Sequence, residues 1–195
     1  MLRNTLDGWG LPARALHWLI VAIVLVQVPL GFWMVEVYDE YSQTFADDTL
    51  LMQTSNAHHT LGLMVLIIAA FRLAWRFSNP TPDLPASLLT YQRHLARSTQ
   101  ALLYLALFMY PLSGWAVLSA YDGEFPIFFF GYEGVLRIVP QVAEGEVFDS
   151  DFFVRIHANF WHGAGLLLGL HIIGALWHQY VARDGLLRRM WRGRA

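Results

Sequence analysis

Eight histidines are spread through this 195-residue chain, at positions 17, 58, 59, 94, 157, 162, 171 and 178. Seven of them lie inside or at the edge of a stretch that has no Asp, Glu, Lys or Arg. An ionisable side chain in such apolar surroundings is costly and usually has a task. Imidazole can relay protons or ligate a metal. No carboxylate shares these stretches to build a relay, which leaves ligation as the chemistry to consider.

Four stretches must position these rings: Ala15 to Val35, Thr49 to Phe71, Ser98 to Tyr121 and Ile156 to Ala182. Each reaches the roughly 20 residues needed to cross a bilayer core. Charged residues make up 14% of the chain, against about 25% in an ordinary soluble domain. Soluble cores do not repeat charge-free runs of this length, so the reading is an all-α integral membrane protein, a four-transmembrane-helix bundle. The spacing predicts helices over about 13–36, 50–77, 91–119 and 153–182, within a single domain covering 1–195. The first segment exceeds a signal-peptide core, and no small-residue cleavage site follows it, so it is expected to stay as the first span. "SNPTPDLPAS" marks the hairpin after helix two, because its prolines cannot sit inside a helix. The outer loop 120–152 contains "FPIFFFGYEGVLRIVPQV", an aromatic, amphipathic run expected to lie at the membrane interface. It reads as an anchor rather than as a partner platform.

Charge sets the orientation. All thirteen basic residues are arginine, and eleven of them precede segment one, join segments two and three, or follow segment four. The other two loops hold Arg137, Arg155 and twelve of the fifteen acids. The positive-inside rule then places both termini in the cytoplasm. A basic inner rim of this kind is ordinary topology and gives no reason to expect nucleic acid. The chain has no cysteine, which excludes thiolate metal sites, iron–sulfur clusters and covalent C-x-x-C-H haem attachment.

With that topology the histidines fall at two depths. His17 is near the inner side, while His58, His59 and His157 are near the outer side. His171 follows His157 by 14 residues and is therefore about 21 Å deeper, within roughly 40° on the same helix face. His162 is turned about 140° from that row. His178 lies near the row one heptad past His171, and Ala164 between the two ligand candidates is small enough for a flat group to approach. Zinc would need four ligands, or three and a water, and neither level supplies that set. Haem b needs two axial imidazoles on opposite faces of the iron and an apolar slot. Paired histidines from two helices at two depths therefore point to two non-covalent haems in a helix bundle. The competing reading, interhelical hydrogen bonding, fits any one histidine better than it fits four placed this way.

These residues resemble the prokaryotic cytochrome b561 family over nearly the full chain. The resemblance rests on "RALHWL" around His17 and on "HHTLGLMVLIIAAFRLAWR", with Gly62 and Arg72 as anchors. It extends to "NPTP", to "LYLALFMYPLSGW" with Tyr104, Pro111, Gly114 and Trp115, and to the His157–His171 spacing with "GLH". It implies His17 and His171 on the iron of a cytoplasmic-side haem b, and His58 and His157 on the iron of a periplasmic-side one. His59, about 100° from His58, is then a bystander. Arg97 and Gln100, and Ile156 before His157, depart from residues common in the family, at positions that are not ligands.

Iron held by two imidazoles has no open site, so the expected chemistry is outer-sphere electron transfer in the bacterial inner membrane. Arg14, Arg72 and Arg155 are candidates to pair with haem propionates or simply to snorkel. Ubiquinone is the expected acceptor, with His178 as a candidate polar contact, although an interfacial histidine is the simpler reading. Two classes follow from the resemblance. One is an oxidoreductase of the superoxide:ubiquinone type. The other is an anchor and relay subunit serving a periplasmic redox protein. The compact chain suits the first, while the acidic outer loops suit a cationic partner unless Arg137 or Arg155 forms a local funnel.

Overall fold

The computed structural model describes residues 1–45 and 47–193. Arg194, one of the inner arginines, lies outside the described residues. Among those described there are five α-helices and one π-helical turn. They are α1 (Leu11–Thr44), α2 (Thr49–Phe77), α3 (Thr90–Ala120), α4 (Ser150–Trp177), the π-turn (His178–Ala182) and α5 (Leu186–Arg192). Four helices are long and apolar enough to cross a membrane, the last running from Ser150 through Ala182. The all-α membrane class is as expected.

The helix limits differ from the expected ones at two places. The first helix runs on to Thr44 rather than stopping near 36, because no Gly or Pro follows the apolar run and "EVYDEYSQT" continues it into water. Beyond α4 the Arg-rich tail is itself ordered as α5, after a turn that places Arg183 in the left-handed region. Pro29 and Pro111 sit inside α1 and α3, the interruption a membrane helix tolerates where neighbours satisfy the freed carbonyl.

Lipid is the solvent for much of this surface. Leu25, Phe71, Leu166 and Ile173 are each more than 60% exposed, and α4 buries no residue fully. Many of the buried positions are small, among them Ala69, Thr54, Ser55, Ser113, Ala116, Ser119 and Ala120, alongside larger ones such as Ile23, Leu51, Val65 and Ile68. Small side chains let helix backbones approach closely where no hydrophobic effect drives them together.

The chain divides into two compact units. Unit one comprises residues 1–19, 68–108 and 161–195, and unit two comprises 20–67 and 109–160. In unit one the N-terminal segment, the inner hairpin and α5 are stitched by polar contacts. Asn4 Nδ2 donates to Pro80 O (3.1 Å), Asp83 N to Leu6 O (2.8 Å) and Arg189 Nη1 to Asp83 O (2.7 Å). Arg14 Nη1 donates to Trp191 O (2.8 Å) and Trp18 Nε1 to Met190 O (3.1 Å), which holds α5 against α1.

In unit two the aromatic segment is pinned to α2 by three side chains. Phe128 N donates to His59 Nδ1 (3.4 Å), Phe130 N to Thr60 Oγ1 (2.9 Å) and Gly131 N to Asn56 Oδ1 (3.1 Å). Ile127 and Phe128 are buried, whereas Phe130 and Tyr132 are exposed. The segment is therefore not one amphipathic element lying flat but a tight turn with a Phe129–Tyr132 bridge. Asp149 caps α4, accepting from Phe152 N and Gly145 N, and these two donors hold its carboxyl below the usual aspartate range.

Arg137 closes the end of α3. Its guanidinium donates to the carbonyls of Leu118, Ser119, Tyr121 and Gly123. A helix C-terminus leaves carbonyls unpaired and carries partial negative charge, and one fixed cation answers both. Arg137→Met should therefore cost about 2 kcal/mol of stability. The check is faster amide exchange over residues 118–123 and a lower thermal midpoint, with α1 and α2 unaffected.

Candidate functional site

Two imidazole pairs form, one in each unit. In unit one, His17 of α1 faces His171 of α4 with ring centres 6.3 Å apart and planes at 82°. In unit two, His58 of α2 faces His157 of α4 with centres 6.4 Å apart and planes at 90°. The four candidate residues thus meet in the expected partnerships. Among the described residues no three His, Cys, Asp or Glu side chains converge as a metal cluster, so the imidazoles stand in twos.

His59 lies as far from His58 as His157 does, 6.4 Å, so separation alone does not distinguish the two. Orientation does. The His59 ring stacks on Phe128 (5.8 Å, 23°) and its Nδ1 takes the Phe128 N–H, so it holds the outer loop. His162 joins neither pair. His178 bonds Asp184 instead, Nδ1 to Oδ2 at 2.5 Å.

The surroundings of His157 decide which of its nitrogens is free. Its Nδ1 lies 3.1 Å from Tyr110 O and 3.0 Å from Ser113 Oγ, and Ser113 Oγ itself donates to Tyr110 O at 2.7 Å. A carbonyl only accepts, so Nδ1 carries the proton and Nε2 keeps its lone pair. The ring can lie this close to α3 because residue 114 is glycine. A Cβ there would meet His157 Cε1 at 2.9 Å and Nδ1 at 3.2 Å. Across the pair, Gly31 of α1 makes the same room for His58, whose Cε1 a Cβ would meet at 3.0 Å. Gln27 holds His58 from the other side, its Nε2 3.1 Å from Nδ1 and donating to the His58 carbonyl at 2.9 Å.

Gln27, Gly31 and Ser113 were not singled out from the sequence. Gln27 had a signal, since it is the one polar side chain between Trp18 and Trp33. Ser113 had none, because serines are common on membrane helices.

Beside the His17–His171 pair, Arg72 Nε donates to Tyr104 OH (3.1 Å) and Nη1 to Ala13 O (3.2 Å). Arg72 and Arg76 both stand over the Tyr104 ring, at 5.8 and 5.7 Å. Arg14 is committed to α5, and Arg155 is exposed.

Residues 8–193 match the family model for prokaryotic cytochrome b561. The chain belongs to the prokaryotic cytochrome b561 family. It is 30% identical to cytochrome b561 homolog 2 of Escherichia coli over 189 residues, 96% of this chain and 93% of that one. It is 29% identical to cytochrome b562 of Cereibacter sphaeroides, covering 92% of each chain. The probable superoxide oxidase CybB of Yersinia pestis is 24% identical, over 90% of each chain. Prokaryotic cytochromes b561 are haem b proteins of membrane electron transfer, and with four candidate spans this member is a multi-pass protein of the bacterial inner membrane.

The hydrogen bond at His157 leads to a measurable consequence for a cytochrome. An acceptor on Nδ1–H makes an imidazole more electron-rich and lowers the potential of a metal it binds. With a haem iron held by His157, Ser113→Ala would remove one of the two acceptors and raise that haem's potential by a few tens of millivolts, the equivalent of about one hydrogen bond. A redox titration followed at the haem absorbance checks this, and a potential at the His17–His171 pair should not move.

Proposed function

We propose that this cytochrome carries electrons between a donor at its periplasmic face and ubiquinone through two haems b. His58 and His157 hold the periplasmic-side haem, and His17 and His171 hold the cytoplasmic-side one. The observation carrying this reading is the spacing within the two pairs. Two metal–imidazole bonds of about 2.0–2.1 Å, with about 1.1 Å from each nitrogen to its ring centre, put ring centres about 6.3 Å apart. The pairs stand at 6.3 and 6.4 Å, each contributed by two helices. The protonated Nδ1 of His157 and the glycine cradles at Gly31 and Gly114 fit the same group. Haem b, when bound between two imidazoles, supplies one-electron outer-sphere transfer and offers no open coordination position.

The chain's own residues then do three things. Ser113 and the Tyr110 carbonyl fix the tautomer and the ring angle of His157. Gln27 of α1 donates through Nε2 to the His58 backbone carbonyl, tying α1 to α2 beside the ring. Arg72, tied to Tyr104 and to the turn preceding His17, supplies fixed positive charge beside the inner pair, where an anionic propionate is favoured.

For the donor, a cationic periplasmic redox protein is favoured over superoxide. Of the two arginines that could form a funnel, Arg137 spends its guanidinium on four carbonyls, and Arg155, though exposed, stands close enough to Asp149 to act on its carboxyl in loops that are acidic. An anion approaching this face is repelled and a basic protein is attracted. The test uses the purified protein in liposomes. Ubiquinol should reduce both haems, and failure to reduce either contradicts the quinone step. A superoxide source with ubiquinone should leave the haems oxidised, whereas rapid ubiquinol formation would identify superoxide as the donor.

A further inference from the structure

Where the fourth span ends, a cavity of about 230 Å³ opens between the π-turn and α5. Its lining is Gln179, Arg183, Gly185 and Arg188. Two guanidiniums and an amide meet there, with no carboxylate in the lining. The one acid of the segment, Asp184, is spent elsewhere. Its Oδ2 bonds His178 Nδ1 at 2.5 Å and its Oδ1 accepts from Leu186 N at 3.1 Å. Arg183 uses only Nε internally, toward Tyr180 O, and Arg188 is exposed. Planar guanidiniums of this kind match the oxygens of a phosphate.

The rim tells which phosphate. Tyr180 and Val181, on the π-turn between the lining residues Gln179 and Arg183, are each more than 60% exposed, so apolar surface for an acyl chain adjoins the charged lining. A zwitterionic headgroup brings its own cation, and the lining has no acid to receive one. The volume is several times the roughly 30 Å³ that one water occupies, enough for a phosphate with its glycerol. Basic pockets at helix ends facing the anionic leaflet are suited to such headgroups.

We infer that this cavity binds the phosphate of an anionic phospholipid, through Arg183 and Arg188 with Gln179 at its side. Native mass spectrometry of the haem-loaded protein in detergent tests it, with phosphatidylglycerol and phosphatidylcholine as probes. The wild type should retain phosphatidylglycerol at least tenfold better than phosphatidylcholine. Arg183→Gln/Arg188→Gln should lose about tenfold or more of that retention, and Arg97→Gln, an exposed arginine elsewhere, should lose none. Arg183→Lys/Arg188→Lys keeps the charge and loses the planar fork, so it too should bind weakly. Lysine variants that bind like wild type, or glutamine variants that do, would overturn the site in favour of a diffuse basic rim. Millimolar inorganic phosphate should not displace the lipid, and displacement would reassign the cavity to free phosphate. If the double variant does not accumulate, Arg188→Gln alone, at an exposed position, carries the same expectation at smaller size.

Discussion

His171→Ala should leave one haem per chain, against the two proposed for the wild type. The remaining haem should be the one held by His58 and His157. An axial imidazole supplies a metal bond that no neighbour replaces, since among the described residues no third ligating side chain joins either pair. Loss is therefore expected to be all or none at the His17–His171 site. The His58–His157 site has its own supports, Ser113 and the Tyr110 carbonyl, both within the other compact unit. His157→Ala should do the reverse, although it lies on the same helix. Haem-to-protein ratios and the reduced spectra of the two variants check this. Loss of both haems or of neither from the His171 variant would contradict the pairing.

The second large effect should come from a residue with no side chain. Gly114→Val puts a branched side chain where the His157 ring already comes within 2.9 Å of a single Cβ. Replacing glycine in a helix interior gains up to about 1 kcal/mol of propensity with alanine, and less with valine. Overpacking costs about 1–3 kcal/mol, so the net effect on folding is small. The effect on the site is not small, because the ring must leave the Tyr110 carbonyl and lose the bond that fixes its tautomer. The variant should accumulate in the membrane and lack the haem proposed at His58 and His157 while keeping the one at His17 and His171. Gly163→Ala, where a Cβ meets nothing within 4 Å, should bind both haems as wild type does. A Gly114→Val protein with two haems at unchanged potentials would contradict the cradle.

The spans and the two levels of histidines were legible because both follow from one-dimensional facts, whereas the choice of His58 over His59 rested on the resemblance to the family. Bilayer thickness fixes the length of a charge-free run, and the helix repeat fixes which residues share a face. Other features depended on neighbours that spacing does not reveal. Nothing in the spacing says that His59 turns to hold Phe128, that His178 finds Asp184 six residues on, or that Arg137 caps α3. Each is a polar group satisfying a backbone or side-chain partner that only the fold brings near. The extension of α1 to Thr44 was missed for a different reason: helix propensity continues past the apolar run, and hydropathy marks where lipid ends rather than where the helix does. The small residues that pack the interior, Ala69, Ala116 and Ser119 among them, are too common in membrane helices to be recognised beforehand.

The central claim is that each cross-helix histidine pair holds one haem b. It is tested most directly by the haem-to-protein ratio of the purified wild-type chain, read together with its oxidised and reduced spectra. Two b-type haems per chain are expected, both low-spin as bis-imidazole iron requires. A single haem per chain, a high-spin fraction belonging to one site, or no b-type α-band at all would contradict it.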